Sequence, residues 1–120
     1  PMVVNNETIP LSKAIKAGDF IFLSGQLGAN SDMLFPTTVA EQTELCISNI
    51  KVILEQCSLG LSDVIKTTVW LTQPEYFKEF NNTYKKLFAS PPPCRSTVCS
   101  ALMIPAALVE IEAIAFSEKG

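Results

Sequence analysis

The chain has 120 residues, of which 48% are hydrophobic and 18% charged, with a formal net charge of −3. That length supports one core without metal or disulfide staples, and the apolar share excludes a disordered chain. The acidic balance argues against a nucleic-acid binder, which carries a basic footprint, and no apolar run approaches the roughly 20 residues of a membrane span.

The first residues, Pro1-Met2-Val3-Val4-Asn5-Asn6, lack the charged-then-apolar layout of a secretory signal, so a cytoplasmic protein is expected. An extra strand can form near Val3. Leu11 to Ile15 and Phe20 to Ser24 read as short strands split by the turn signal Ala17-Gly18-Asp19. Ser24-Gly25-Gln26-Leu27-Gly28 then leaves the strand, and its two glycines let backbone come close to another group. Asn30 to Pro36 is a polar loop. Thr37 or Thr38 caps a long helix running to about Cys57, with Val39, Leu45 or Cys46, Ile50, Ile53, Leu54 and Cys57 at helical spacing and Gly60 ending it. Asp63 to Thr72, rich in β-branched and aromatic residues, is the clearest strand. Pro74 suits the first turn of a second helix from Glu75 to Phe88, whose stripe of Phe77, Phe80, Tyr84, Leu87 and Phe88 reads as buried core. After Pro91-Pro92-Pro93 come two more strands, Arg95 to Ala101 and Leu108 to Phe116, joined by a loop holding Pro105.

This order, β-β-α-β-α-β-β with no repeat or linker, predicts a single α+β domain over residues 1–120: one sheet with both helices on one side. In the last strand Leu108, Glu110, Glu112, Ile114 and Phe116 share one face, while Val109, Ile111, Ala113 and Ala115 share the other. Both faces carry apolar residues and one copy has no further element to cover the second. Self-association is the expected solution, and the low charged content agrees with it.

The four cysteines show neither metal-ligand spacing nor a pairing pattern, and all are expected to be reduced, with Cys46 and Cys57 as small core residues. The chain has no histidine, so Ser-His-Asp and Cys-His machinery cannot exist within it. Arg95 is its only arginine and follows a stiff proline run. A planar, permanently charged fork held in this way suits a carboxylate or phosphate, although a surface arginine at a strand start making a weak ion pair is the plainer alternative. Glu110 and Glu112 sit on one face of an otherwise apolar strand. Either one of them faces Arg95 or water beside it, or both meet solvent or a lysine at the sheet edge.

Arg95-Ser96-Thr97-Val98, followed after a short loop by Val109-Glu110-Ile111-Glu112-Ala113-Ile114-Ala115, closely resembles the signature of the RidA family, also called YjgF. Phe20-Ile21-Phe22-Leu23-Ser24-Gly25-Gln26, Asp63-Val64-Ile65-Lys66-Thr67-Thr68-Val69 and Asn81-Asn82-Thr83-Tyr84 match the family pattern in the same order. The resemblance implies a chorismate-mutase-like fold and a homotrimer whose three sheets form a central barrel, with three clefts between subunits. It implies hydrolytic deamination of enamine or imine intermediates of the 2-aminoacrylate type to a 2-keto acid and ammonia, with no cofactor and no metal. By the same resemblance Arg95 grips the substrate carboxylate and Glu110 helps to hold the attacking water. The main chain at Thr97 contacts that water, and the backbone at Gly25 lines the cleft.

Two departures stand out. Cys94 precedes the arginine where a small residue or proline is usual, and Ile9-Pro10-Leu11-Ser12-Lys13 carries Leu11 where active members usually carry a tyrosine. Without that hydroxyl an altered substrate range or a lower rate is expected. The alternatives are a non-catalytic or regulatory protein that binds a small carboxylate in the same cleft, a nuclease, and a tautomerase using Pro1 as base.

Overall fold

The computed structural model describes residues 2–4 and 7–117, with side chains described from Ile9 onward; Pro1, which a tautomerase would need, lies outside them. Strand β1 (Met2–Val4) pairs antiparallel with β2 (Glu7–Ile9), so the strand expected near Val3 is present and has a partner the sequence did not reveal. Strands β3 (Ala14–Ala17) and β4 (Phe20–Leu27) form a hairpin whose two-residue turn is Gly18-Asp19. Gly18 lies at φ 62°, the left-handed region that glycine enters without a Cβ clash.

Two strand limits near the start of the sheet differ from expectation for a local reason. The strand expected over Leu11 to Ile15 begins at Ala14, because the Leu11 N–H turns back to donate to the Ile9 carbonyl at 2.7 Å. β4 does not stop at Ser24. Its register slips between Leu23 and Gln26, and the strand resumes to Leu27. The Ser24-Gly25 pair is therefore a bulge inside a strand rather than its end.

Helix α1 (Val39–Gln56) starts as the sequence implies. Thr38 is its N-cap, and its hydroxyl accepts from the Glu41 N–H. Gly60 is not what ends it. The Ser58 N–H donates to Glu55 and the Leu59 N–H to Leu54, with Ser58 itself at φ 62°, so a serine fills the left-handed position usually given to glycine. Cys46 is buried, but Cys57 is the C-cap residue of α1 and is exposed, so only one of the two is a core residue. All four cysteines are free thiols.

A short 3-10 turn (Leu61–Asp63) leads into β5 (Val64–Leu71), and a second one (Pro74–Tyr76) opens α2 (Phe77–Leu87). Strands β6 (Cys94–Cys99) and β7 (Val109–Phe116) complete a five-stranded mixed sheet in the order β3-β4-β7-β5-β6. Only β5 and β6 are parallel, joined through α2. No described helix is long and apolar enough to cross a membrane.

Both helices cover the same face. On that side Ile21, Leu23, Val69, Leu71, Val109, Ile111, Ala113 and Ala115 meet Cys46, Ile47, Ile50 and Leu54 of α1 and Phe80 and Tyr84 of α2. Among the described residues no element covers the sheet's other face. It shows Phe20 and Phe22, 40% and 45% exposed, and a Phe20–Phe116 pair at 5.2 Å in an edge-to-face arrangement. The alternation read from the last strand holds from Val109 to Phe116, whereas Leu108, expected on the Glu110 face, precedes the strand and packs against the core.

One buried amide ties two loops to α1. Gln42, fully buried, donates from Nε2 to the carbonyls of Pro36 and Ala106 and accepts from the Leu108 N–H. Gly28 makes this approach feasible, since a Cβ there would lie 2.5 Å from the Gln42 carbonyl oxygen. Gly28→Ala is therefore expected to cost about 1–3 kcal/mol in a urea titration, as overpacking does. Gly60→Ala, which meets nothing within 4 Å, should stay within about 0.5 kcal/mol of the parent.

Candidate active site

β6 is an edge strand, and the β5–β6 register decides what its residues face. Arg95 lies opposite Thr67 and Thr97 opposite Val69, both partners being buried residues of the helix-covered face. The Arg95 side chain therefore runs between the sheet edge and α2. Its guanidinium carbon sits 4.9 Å from the centre of the Tyr84 ring, 5.4 Å from Phe80 and 5.8 Å from Phe77. Such contacts are worth roughly 0.5–2 kcal/mol each, more as water is excluded.

Among the described residues, no carboxylate lies within the 4.0 Å of an ion pair to Arg95. The plainer reading of a strand-end arginine in a surface ion pair is thus not what the fold builds. The guanidinium is held by ring faces, and its donor fork is left over. Beside it runs a groove of about 600 Å³ bounded by Asn81, Phe88, Ser90 and Pro93. Asn81 Oδ1 is buried there without a hydrogen-bond partner. A second groove of about 290 Å³, with apolar walls, lies between Phe77 and the Thr97, Val98 and Cys99 stretch of β6.

Glu110 stands on the other face. Its β7 neighbours Val109 and Ile111 are fully buried under the helices, so Glu110 points to the uncovered side, opposite Trp70 of β5 and Leu27 of β4. Gly25, in the β4 bulge, leaves the space its carboxylate occupies. A Cβ on Gly25 would lie 3.0 Å from Glu110 Cδ and closer still to Oε2. Burial, and secondarily the charge of Glu112, pushes the Glu110 carboxyl above its ordinary range. Leu11 is half-buried, and the segment after it is tied to the β4 bulge, where Ser24 Oγ donates to the Ser12 carbonyl and the Ser24 N–H to that of Lys13.

The residues singled out from the sequence thus fall into two groups. Gly25 and Glu110 meet on one side of the sheet, with the Leu11 segment tied to the neighbouring Ser24 through Ser12 and Lys13, while Arg95 and Thr97 share the opposite side of the edge strand. Within one chain Glu110 does not face Arg95, since two strand spacings, roughly 10 Å, and the sheet itself lie between them. The sequence did not reveal the aromatic seat of Arg95. Phe77, Phe80 and Tyr84 read as a core stripe at helical spacing, yet Phe77 is 46% exposed and all three rings carry the guanidinium. The available signal was Thr67, whose register against Arg95 follows once β5 and β6 are taken as parallel.

Known proteins share both the sequence and this architecture. The family model described as Endoribonuclease L-PSP matches residues 5–117. The chain is 40% identical over 108 residues to Reactive Intermediate Deaminase A, chloroplastic, of Arabidopsis thaliana, covering 88% of this chain and 58% of the relative. It is 32% identical over 111 residues to a 2-iminobutanoate/2-iminopropanoate deaminase of Dermatophagoides farinae, covering 91% of this chain and 87% of the relative. Escherichia coli TdcF with bound serine superposes with a TM-score of 0.87 at 31% identity, covering 93% of this chain and 91% of that one. Every strand of the five-stranded sheet and both helices fall inside the matched span, and the chain belongs to the Endoribonuclease L-PSP family, also known by the names RidA and YjgF.

Proposed function

We propose that this protein is a cofactor-independent deaminase that hydrolyses short 2-imino acids, formed from enamines of the 2-aminoacrylate type, to 2-keto acids and ammonia. The observation that carries this reading is an arginine seated on aromatic rings with no carboxylate of the described residues paired with it. Such a group supplies a charge-assisted, two-point grip for a carboxylate. The deaminase names of the Arabidopsis and Dermatophagoides relatives point the same way.

In this reading two copies complete each site. Arg95 and the Thr97 main chain of one copy face Gly25, Glu110 and Leu11 of a second across a cleft, and three copies close a barrel around the uncovered sheet face. The phenylalanines on that face are what such packing would bury. We place the protein in the cytoplasm, where free thiols persist.

The chemistry asks little of the side chains. Arg95 holds the carboxylate, which sets the neighbouring imine carbon in place. Water adds to that carbon, the C–N bond breaks, ammonia leaves and the carbonyl forms, so one imine and one water give one keto acid and one ammonia. Glu110, as carboxylate, accepts a hydrogen bond from the water and orients it. An imine carbon beside a carboxylate is already electrophilic, so orientation can supply much of the acceleration.

Leu11 favours a second reading, a binding protein for small carboxylates without turnover, since the position offers no hydroxyl. Calorimetry with 2-ketobutyrate beside a deaminase assay separates the two: binding without keto-acid release supports the binder. The family's nuclease description is less suited to a chain of net charge −3, because an RNA backbone calls for several phosphate contacts.

Arg95→Ala should lower kcat/KM for a dehydratase-generated enamine roughly 100-fold or more, the loss of a charge-assisted contact worth about 3 kcal/mol. Arg95→Lys should recover only part of it, because a point charge replaces a fork. If the wild type releases keto acid no faster than buffer, the catalytic reading is wrong. Because the Glu110 carboxyl is raised and must be ionised to hold water, activity should fall on acidification at a pH above the ordinary glutamate value of about 4.3. Glu112→Gln, by removing the adjacent charge, should move that acid limb to lower pH, and Glu110→Gln should abolish it along with most of the rate. Phe22→Asp should convert a species of three times 13.1 kDa to monomer on a sizing column and remove activity with it.

A further inference from the structure

We infer that Tyr84, anchored by the hydroxyl of Thr67, is a positioning residue that fixes the Arg95 guanidinium for its ligand. This inference rests on the reading of Arg95 as the carboxylate grip, but it concerns different atoms. Thr67 and Arg95 are register partners on adjacent parallel strands, facing the same side. Tyr84 comes down from α2 onto both: its hydroxyl shares a 2.7 Å hydrogen bond with Thr67 Oγ1, and its ring carries the guanidinium carbon at 4.9 Å, nearer than either phenylalanine.

The anchor is well shielded. Thr67 is fully buried and Tyr84 is 5% exposed, so neither hydroxyl can exchange its partner for bulk water. Phe80 and Phe88 flank the Tyr84 ring at 5.2 and 4.7 Å, which leaves it little room to tilt. Burial holds the Tyr84 phenol above its ordinary range, with the Thr67 hydrogen bond and the Arg95 charge acting in the opposite direction. It is therefore a neutral phenol at physiological pH, with a proton to share with the Thr67 hydroxyl.

The consequence is a division of labour. A long, flexible arginine loses rotamer freedom when it grips a ligand. A ring locked beneath it takes that loss during folding, so less is left to lose on binding. A carboxylate partner would also hold the arginine still, but it would occupy the fork that the ligand needs. A neutral ring face orients the group and leaves every N–H free.

Arg95 is the chain's only arginine, so in uniformly ¹⁵N-labelled protein its Nε–Hε signal is unique and can be followed directly. Three variants separate anchor from ring: Tyr84→Phe keeps the ring and removes the hydroxyl, Thr67→Val keeps the shape and removes the anchor, and Thr67→Ser keeps the hydroxyl. Tyr84→Phe and Thr67→Val should each broaden and shift the Nε–Hε signal and raise the Kd for 2-ketobutyrate roughly fivefold, the size of one lost hydrogen bond. The double variant should be no worse than the single ones, and Thr67→Ser should behave as the parent. An unchanged signal in Tyr84→Phe overturns the inference, as does a Thr67→Ser protein impaired as much as Thr67→Val. If Thr67→Val does not fold, Tyr84→Phe and Thr67→Ser decide the matter. Should the parent bind no 2-keto acid at all, the carboxylate reading fails, and the Nε–Hε signal alone then judges whether Tyr84 orders the guanidinium.

Discussion

Two parallel strands cannot be joined by a tight turn, and the rest of this site follows from that constraint. β6 runs alongside β5 in the same direction, so the chain between them must cross over one face of the sheet, and here it does so as α2. The crossover lays Phe77, Phe80 and Tyr84 against the side chains that alternate onto that face of β6. Arg95 is one of them, and it meets rings rather than carboxylates. Shifting β6 by one residue would turn the guanidinium to the uncovered face and put Ser96 beneath the helix. The position of one charge is thus set by strand direction and register.

The same sheet separates the two polar groups of the site. Alternation along β7 sends Val109 and Ile111 into the core and leaves Glu110 on the other side, in a recess that exists because Gly25 has no side chain. A β-sheet one chain thick cannot bring Arg95 and Glu110 together. In the proposed assembly a second copy does so, by presenting its own uncovered face to the edge strand of the first. On that proposal assembly and catalysis are not separate properties of the chain, since the apolar surface proposed to associate would carry half of each cleft.

How much of this was visible in the residues depends on the kind of signal each segment carried. β7 was legible because its alternation is unbroken, β5 because β-branched and aromatic residues crowd it despite a register slip between Val64 and Lys66, and α1 began where Thr38 could cap it. β4 was cut short because a glycine inside a strand reads as a stop, whereas here it is a bulge with pairing on both sides. The end of α1 was assigned to Gly60 because serine rarely enters the left-handed region, and Ser58 does so when two backbone hydrogen bonds demand it. Arg95 stood out as the chain's lone arginine, but its seat did not, because an aromatic stripe at helical spacing has the same pattern whether it faces core or cation. Opposite faces for Arg95 and Glu110 were beyond reach, since facing depends on a strand order that no local pattern encodes.

Gln42 carries a consequence for how the rim of this fold can vary. Its amide spans the segments on either side of α1's amino-terminal end, one through Pro36 and the other through Ala106 and Leu108, with all three links on a single buried side chain. The two loops therefore cannot loosen independently, and a disturbance in one is delivered mechanically to the other. Insertions and sequence drift are best tolerated beyond this tether, at the tips carrying Met33 and Met103, where the chain can lengthen without moving a carbonyl that the amide holds.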